Sequence, residues 1–133
     1  LNINFSSGAS SVSILQGGSS SYFENITISC VSSSNDTELL WLNGGKFVNS
    51  KIIIDACEPS IYAENCILSG VRVQDNIGYA HVDARNNTTI TGCRGLSISI
   101  KQNVSGVIAA NNSDTVIYNA STLTNGIYNN ITS

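Results

Sequence analysis

The chain has 133 residues and a net charge of -3, and only 11% of it is charged, against about a quarter in ordinary soluble domains. That length bounds it to one domain, or one domain with a tail, able to bury about two-thirds of its unfolded surface. Six Lys and Arg with no basic patch argue against nucleic acid, and no apolar run approaches the roughly 18 residues of a membrane-spanning helix.

Taken in chain order, Leu1, Ile3 and Phe5 alternate with Asn2, Asn4 and Ser6, the period-2 pattern of a strand with one apolar face. A strand that begins at residue 1 joins either its own sheet or the sheet of another molecule. SSGASS (6–11) and GGSSS (17–21) read as flexible connectors on either side of a short strand at Val12 and Ile14. Residues 1–17 are therefore expected to form a strand tail and hinge, and residues 18–133 a β-sandwich head. No basic-then-apolar leader is present, so a secreted chain would have lost its signal peptide, with Leu1 as the mature end.

In the head, YFENITISC (22–30) places Tyr22, Ile26, Ile28 and Cys30 on one face and Asn25, Thr27 and Ser29 on the other. Trp41 in ELLWL is the only tryptophan and is expected as a core anchor, and Asn43-Gly44-Gly45 signals a hairpin. The unalternated run KIIIDA (51–56) predicts a strand buried on both faces, and Leu96, Ile98 and Ile100 alternate cleanly with Ser97, Ser99 and Lys101. Further short strands follow to Ile131 at Asn-Ser-Asp and Asn-Gly turns, with no sustained 3.6-residue period. Eight to eleven strands at spacings near ten residues predict an all-β sandwich.

Nine Asn-X-Ser/Thr sequons stand at Asn4, Asn25, Asn35, Asn86, Asn87, Asn103, Asn111, Asn119 and Asn130, where this composition would give roughly four by chance. Asn86 and Asn87 overlap and are not expected to carry glycan together. Cys30, Cys57, Cys66 and Cys93 lack the CxxC spacing of a zinc site and, in a sequon-rich chain, read as two disulfides. Three pairings are possible, with Cys57–Cys66 around the Pro59 turn and Cys30–Cys93 preferred. The expectation is an extracellular, N-glycosylated protein.

Two local resemblances bear on the fold. ITISC followed eleven residues after Cys30 by Trp41 resembles the strand B to strand C entry of an immunoglobulin-type domain, implying an Ig-like β-sandwich, although DNIGYAHVD (75–83) has His81 where that family has its second cysteine. NNTTITGCRGLSISIKQNVSGVIAANNSDTVIYNASTLTNGIYNNITS (86–133) resembles the Asn-punctuated cadence of a parallel β-helix, which would suggest a carbohydrate-active protein. Across the whole chain, the opening apolar strand, SVSILQGGSSS (11–21) and the sequon-crowded strands resemble the thread-filament subunits of thermoacidophilic archaea. That resemblance implies a structural subunit polymerised head to tail with other copies by donor-strand complementation, with Leu1, Ile3 and Phe5 as the inserted side chains. It also implies isopeptide cross-links, for which Lys46, Lys51 and Lys101 are the only lysines.

Chemistry is sparse. His81 is the single histidine, nothing resembles a nucleophile elbow, and the best metal-ligand cluster, Asp75, His81 and Asp83, reads as a solvated strand. Asp55, Glu58 and Glu64 around Pro59 read as acids collected on a surface turn rather than a glycosidase pair. No catalytic residue, metal or cofactor is assigned. A cell-surface module binding a protein or glycan partner is the alternative to the filament subunit.

Overall fold

The structure, a computed structural model, describes residues 1–5, 15–30, 37–54, 59–75 and 79–132. The strands run β1 (Asn2–Phe5), β2 (Leu15–Gly17) and β3 (Tyr22–Glu24), then β4 (Thr27–Cys30), β5 (Thr37–Asn43) and β6 (Lys46–Val48). They continue as β7 (Lys51–Ile54), β8 (Pro59–Glu64) and β9 (Ile67–Ser69), then β10 (Arg72–Asp75), β11 (Ala80–Ala84) and β12 (Thr89–Thr91). β13 (Leu96–Ile100), β14 (Ile108–Ala110), β15 (Val116–Asn119) and β16 (Gly126–Tyr128) complete the chain. Among the described residues there is no helix.

Every pairing is parallel, and each strand pairs with its counterpart one turn of chain earlier or later. Three sheets result: A, in the order β1-β4-β7-β10; B, β2-β5-β8-β11-β13-β15; and C, β3-β6-β9-β12-β14-β16. The chain is thus a parallel β-solenoid of about five turns, which overturns the expected Ig-like sandwich. Parallel neighbours require the chain to travel round the molecule between them, whereas a sandwich would have reversed it at each turn. The Asn-punctuated cadence noted at residues 86–133 belongs to this architecture.

The corners explain the asparagines. Asn25, Asn49, Gly70, Gly92, Asn111 and Asn129 form one column between sheets C and A, with φ of 56°, 47°, 63°, 62°, 57° and 52°. Left-handed backbone of this kind costs most residues about 1–2 kcal/mol and is tolerated best by Gly and Asn. The corner backbone is paired between turns: Asn49 N–H donates to Ser69 O at 2.8 Å, Gly70 to Thr91 O at 3.1 Å and Asn111 to Tyr128 O at 3.2 Å. Intervals along the column shrink from 24 residues to 18, so the solenoid tapers, and in its later turns sheet A is reduced to the isolated bridges Arg72–Arg94–Ser113.

Inside, apolar side chains stack in columns set by the register. Phe23, Phe47, Leu68, Ile90 and Ala109 line sheet C, Leu40, Ile61, Val82 and Ile98 line sheet B, and Ile28 and Ile52 line sheet A. From Phe47 to Ala109 every one of the sheet C column is fully buried, and its volume falls as the turns narrow. Burying a side chain of the size of Leu or Ile is worth about 1.5–3 kcal/mol, so the columns supply the main drive to fold. Leu96, Ile98 and Ile100 point inward as the alternation predicts.

Several other expectations are corrected. β1 pairs with β4 of its own chain, Ile3 opposite Ile28 and packed against the core, so residues 2–5 are the first strand of the solenoid and not a free donor strand. Leu1 is exposed, and the side chain of Phe5 lies outside the described residues. The tail and head do not separate at residue 17 either, because β2 is the first strand of sheet B. YFENITISC breaks at Asn25 into two strands of different sheets, and Asn43-Gly44-Gly45 is a solenoid corner, not a hairpin: the left-handed glycines, φ 93° and 79°, serve either purpose. Ile53 is half-buried on the outside of β7, so the KIII run is not buried on both faces.

Candidate functional site

The outer face of sheet B carries the densest chemistry. Parallel register places Gln16, Trp41, Tyr62, Asp83, Ser99 and Tyr118 in one outward column. Trp41, expected in the core, is instead half-buried on this surface and stacks on Tyr62 with ring centroids 5.3 Å apart and planes 15° from parallel. The Arg85 guanidinium lies over the Tyr62 ring at 5.2 Å, so the aromatic pair is extended by a cation. The Tyr62 hydroxyl donates to Glu64 Oε2 at 2.8 Å, and this bond, with burial, raises the tyrosine's pKa.

Asp83 is the hub of the strip. Its Oδ2 accepts from Arg85 Nη2 at 2.8 Å and Nε at 3.2 Å, and lies 3.3 Å from Lys101 Nζ. The carboxylate raises the Arg85 pKa further, chiefly through that hydrogen bond. Such half-exposed ion pairs contribute at most about 1 kcal/mol to stability, so their interest is in positioning. The other oxygen, Oδ1, is buried and has no hydrogen-bond partner, and leaving a buried acceptor unmade costs about 1–3 kcal/mol. It is the only buried side-chain polar atom in that condition among the described residues.

Of the acids and ligand candidates named from sequence, His81 and Asp83 both point outward from β11, while the Asp75 side chain, Asp55 and Glu58 lie outside the described residues. Glu64 is on the strip. No group of three or more His, Cys, Asp or Glu converges as a metal site among the described residues. The sequence does not single out Tyr62 or Arg85, and it points to Lys101 only as one of three lysines for a cross-link. The signal that finds them is recurrence: Trp41, Tyr62 and Asp83 stand at equal intervals of 21 residues, one turn apart.

The sequons fall elsewhere. Asn25 and Asn111 are exposed at the corner between sheets C and A, and Asn86, Asn87 and Asn103 are exposed between β11 and β12 or β13 and β14. Asn119 is exposed at the end of β15, while Asn35 and the side chain of Asn4 lie outside the described residues. Asn130 is half-buried with its amide committed, donating to Ala109 O at 2.7 Å and accepting from Asn112 Nδ2 at 2.8 Å. Among the described strands of sheet B, only β15 carries a sequon asparagine.

Corner geometry supplies a second cause for the sequon excess. Asn25, Asn87, Asn103 and Asn111 all have positive φ, each followed by a buried residue and then a Ser or Thr that is half-buried. Left-handed Asn, inward residue, outward hydroxyl is at once a solenoid corner and the acceptor sequence.

Cys66 and Cys93 occupy inward corner positions and are both free, so the preferred Cys57–Cys66 and Cys30–Cys93 bridges are not their state. Cys57 and the side chain of Cys30 lie outside the described residues. Burial pushes both thiols up to about 11, and Cys93 Sγ donates to Thr91 O at 3.4 Å. At neutral pH they are protonated and unreactive.

Comparison with protein-family profiles, with characterised proteins and with solved structures finds no significant match.

Proposed function

We propose that the chain is an extracellular β-solenoid that binds carbohydrate through the outer face of sheet B. The observation that carries this is the outward strip itself, in which the stacked Trp41 and Tyr62 rings and the Arg85 guanidinium lie beside Glu64, Asp83 and Lys101. A sugar complements the strip, with C–H faces for the aromatic pair and hydroxyl and ring oxygens for the Arg85 and Lys101 cations that Asp83 positions. Glycans attached at the corner sequons would flank this strip rather than cover it. With Glu64 engaged by Tyr62 and Asp83 by two cations, the arrangement is one of recognition and not turnover.

The test is retention on a panel of immobilised polysaccharides, followed by calorimetry on any that bind. Asp83→Ala and Trp41→Ala are each expected to weaken binding at least about tenfold, the effect of losing about 1.4 kcal/mol, while the β-type circular dichroism is unchanged. Wild-type protein that ignores every polymer, or variants that bind as tightly as it does, would remove the basis for this function.

A head-to-tail filament is the second reading, favoured by the last turn, where Ile127, Tyr128 and Ile131 are exposed and the outer edges of β15 and β16 are unpaired among the described residues. Assembly would then proceed by strand addition at the solenoid ends and needs no donor strand. Sedimentation that shows growing particles with rising concentration is the expected result for it, and a single monomeric species at all concentrations would dismiss it.

A further inference from the structure

A shallow groove of about 500 Å³ runs along the corner between sheets B and C. One wall is the outward column Tyr22, Lys46, Ile67 and Thr89 of sheet C, set in line by the register of β3, β6, β9 and β12. The other is formed by Asn65 and Asn87, held in a ladder of corner asparagines in which Asn87 Nδ2 donates to Asn65 Oδ1 at 3.2 Å and Asn65 Nδ2 donates to Asn43 Oδ1 at 3.4 Å. Asn87 and Thr89, the first and last residues of one of the two overlapping sequons, both line the groove. Asn86 does not line it, and its Oδ1 is turned to accept the Ser105 N–H at 3.0 Å.

We infer that, of the overlapping pair, Asn87 carries the glycan, and that the first sugars of that glycan lie in this groove with a ring against the exposed face of Tyr22. In the transfer, Asn87 Nδ2 bonds to the anomeric carbon of a lipid-linked oligosaccharyl pyrophosphate. The bond from that carbon to the pyrophosphate oxygen breaks with its electron pair passing to the lipid pyrophosphate, which leaves, and one amide proton passes to solvent. The second amide hydrogen stays on the nitrogen and still bridges to Asn65, so the ladder survives the modification. Lys46 and Asn65 supply donors for sugar oxygens, and the volume suits a ligand of one or two rings, since small-molecule sites begin at about 300 Å³. The inference rests on the chain being made in a glycosylating secretory pathway, which the experiment provides.

Secretion from a eukaryotic host and fragmentation of the glycopeptide that holds both asparagines are expected to place the sugar mass on Asn87, with Asn86→Gln leaving it in place. Sugar on Asn86, or a bare peptide when other sequons are occupied, overturns the assignment. The seat is tested by thermal unfolding: Tyr22→Ala is expected to lower Tm by about 3 °C more in the glycosylated protein than in the Asn86→Gln, Thr89→Val double variant, whose two acceptors are removed while Asn87 stays in the ladder. An equal Tm change in both backgrounds would show that the glycan does not occupy the groove. Affinity for polysaccharide is read on the other face, so failure of this inference and failure of the carbohydrate-binding strip are separate results.

Discussion

Gly45→Val is expected to destabilise the fold by at least about 4 kcal/mol. The backbone there has φ +79°, and a Cβ would stand 2.5 Å from the carbonyl oxygen of Ser21 and 2.7 Å from that of Gly18. Both are main-chain atoms of the preceding turn and neither can rotate away. Left-handed strain alone costs about 1–2 kcal/mol for a residue with a Cβ, and the collision adds more. The sum, at least about 4 kcal/mol, is a large part of the roughly 5–15 kcal/mol that holds a domain of this size together. Gly18→Ala is the control, since a Cβ there meets nothing within 4 Å, and it should change the unfolding free energy by no more than about 0.5 kcal/mol. A soluble Gly45→Val protein with an unchanged urea midpoint would mean that the corner is not built as described.

The second large effect is expected at Asn112, a buried amide in the inward column one residue after the left-handed corners. Its Oδ1 accepts the Cys93 N–H at 2.9 Å, and its Nδ2 donates to Ile90 O at 3.1 Å and to Asn130 Oδ1 at 2.8 Å. Ser50, three turns earlier in the column, does a comparable task, its hydroxyl accepting from Ile26 N–H at 3.1 Å and donating to Val48 O at 2.8 Å. Asn112→Leu keeps the volume and strips the partners, so it should cost about 3–5 kcal/mol in urea unfolding despite adding an apolar side chain. A loss below about 1 kcal/mol would show that the amide is dispensable.

The residues that made these corners were legible in the sequence, but their purpose was not. Alternation located Leu96–Ile100 and the inward Ile3 correctly, because a strand's two faces read the same in any sheet. Asn43-Gly44-Gly45 marked a change of direction, yet left-handed glycines serve a reversing hairpin and a solenoid corner equally, and the choice depends on strands far away in the chain. Recurrence would have decided it. It was obscured because the turn shortens from 24 residues to 18, so no fixed period overlays the whole chain. The surface strip was missed for a related reason. Hydrophobicity alone places Trp41 in the core, and only knowing the length of a turn reveals that it stands in one column with Tyr62 and Asp83. The asparagines were counted as glycan acceptors when several of them are also demanded by φ.

Because each strand bonds only to its counterparts one turn before and one turn after, among the described residues no strand of the first turn pairs with one of the last. Energy in such a stack is carried between adjacent layers and fades along the axis. The molecule is therefore expected to melt as a pile of plates does, shedding layers from its tips while the middle holds.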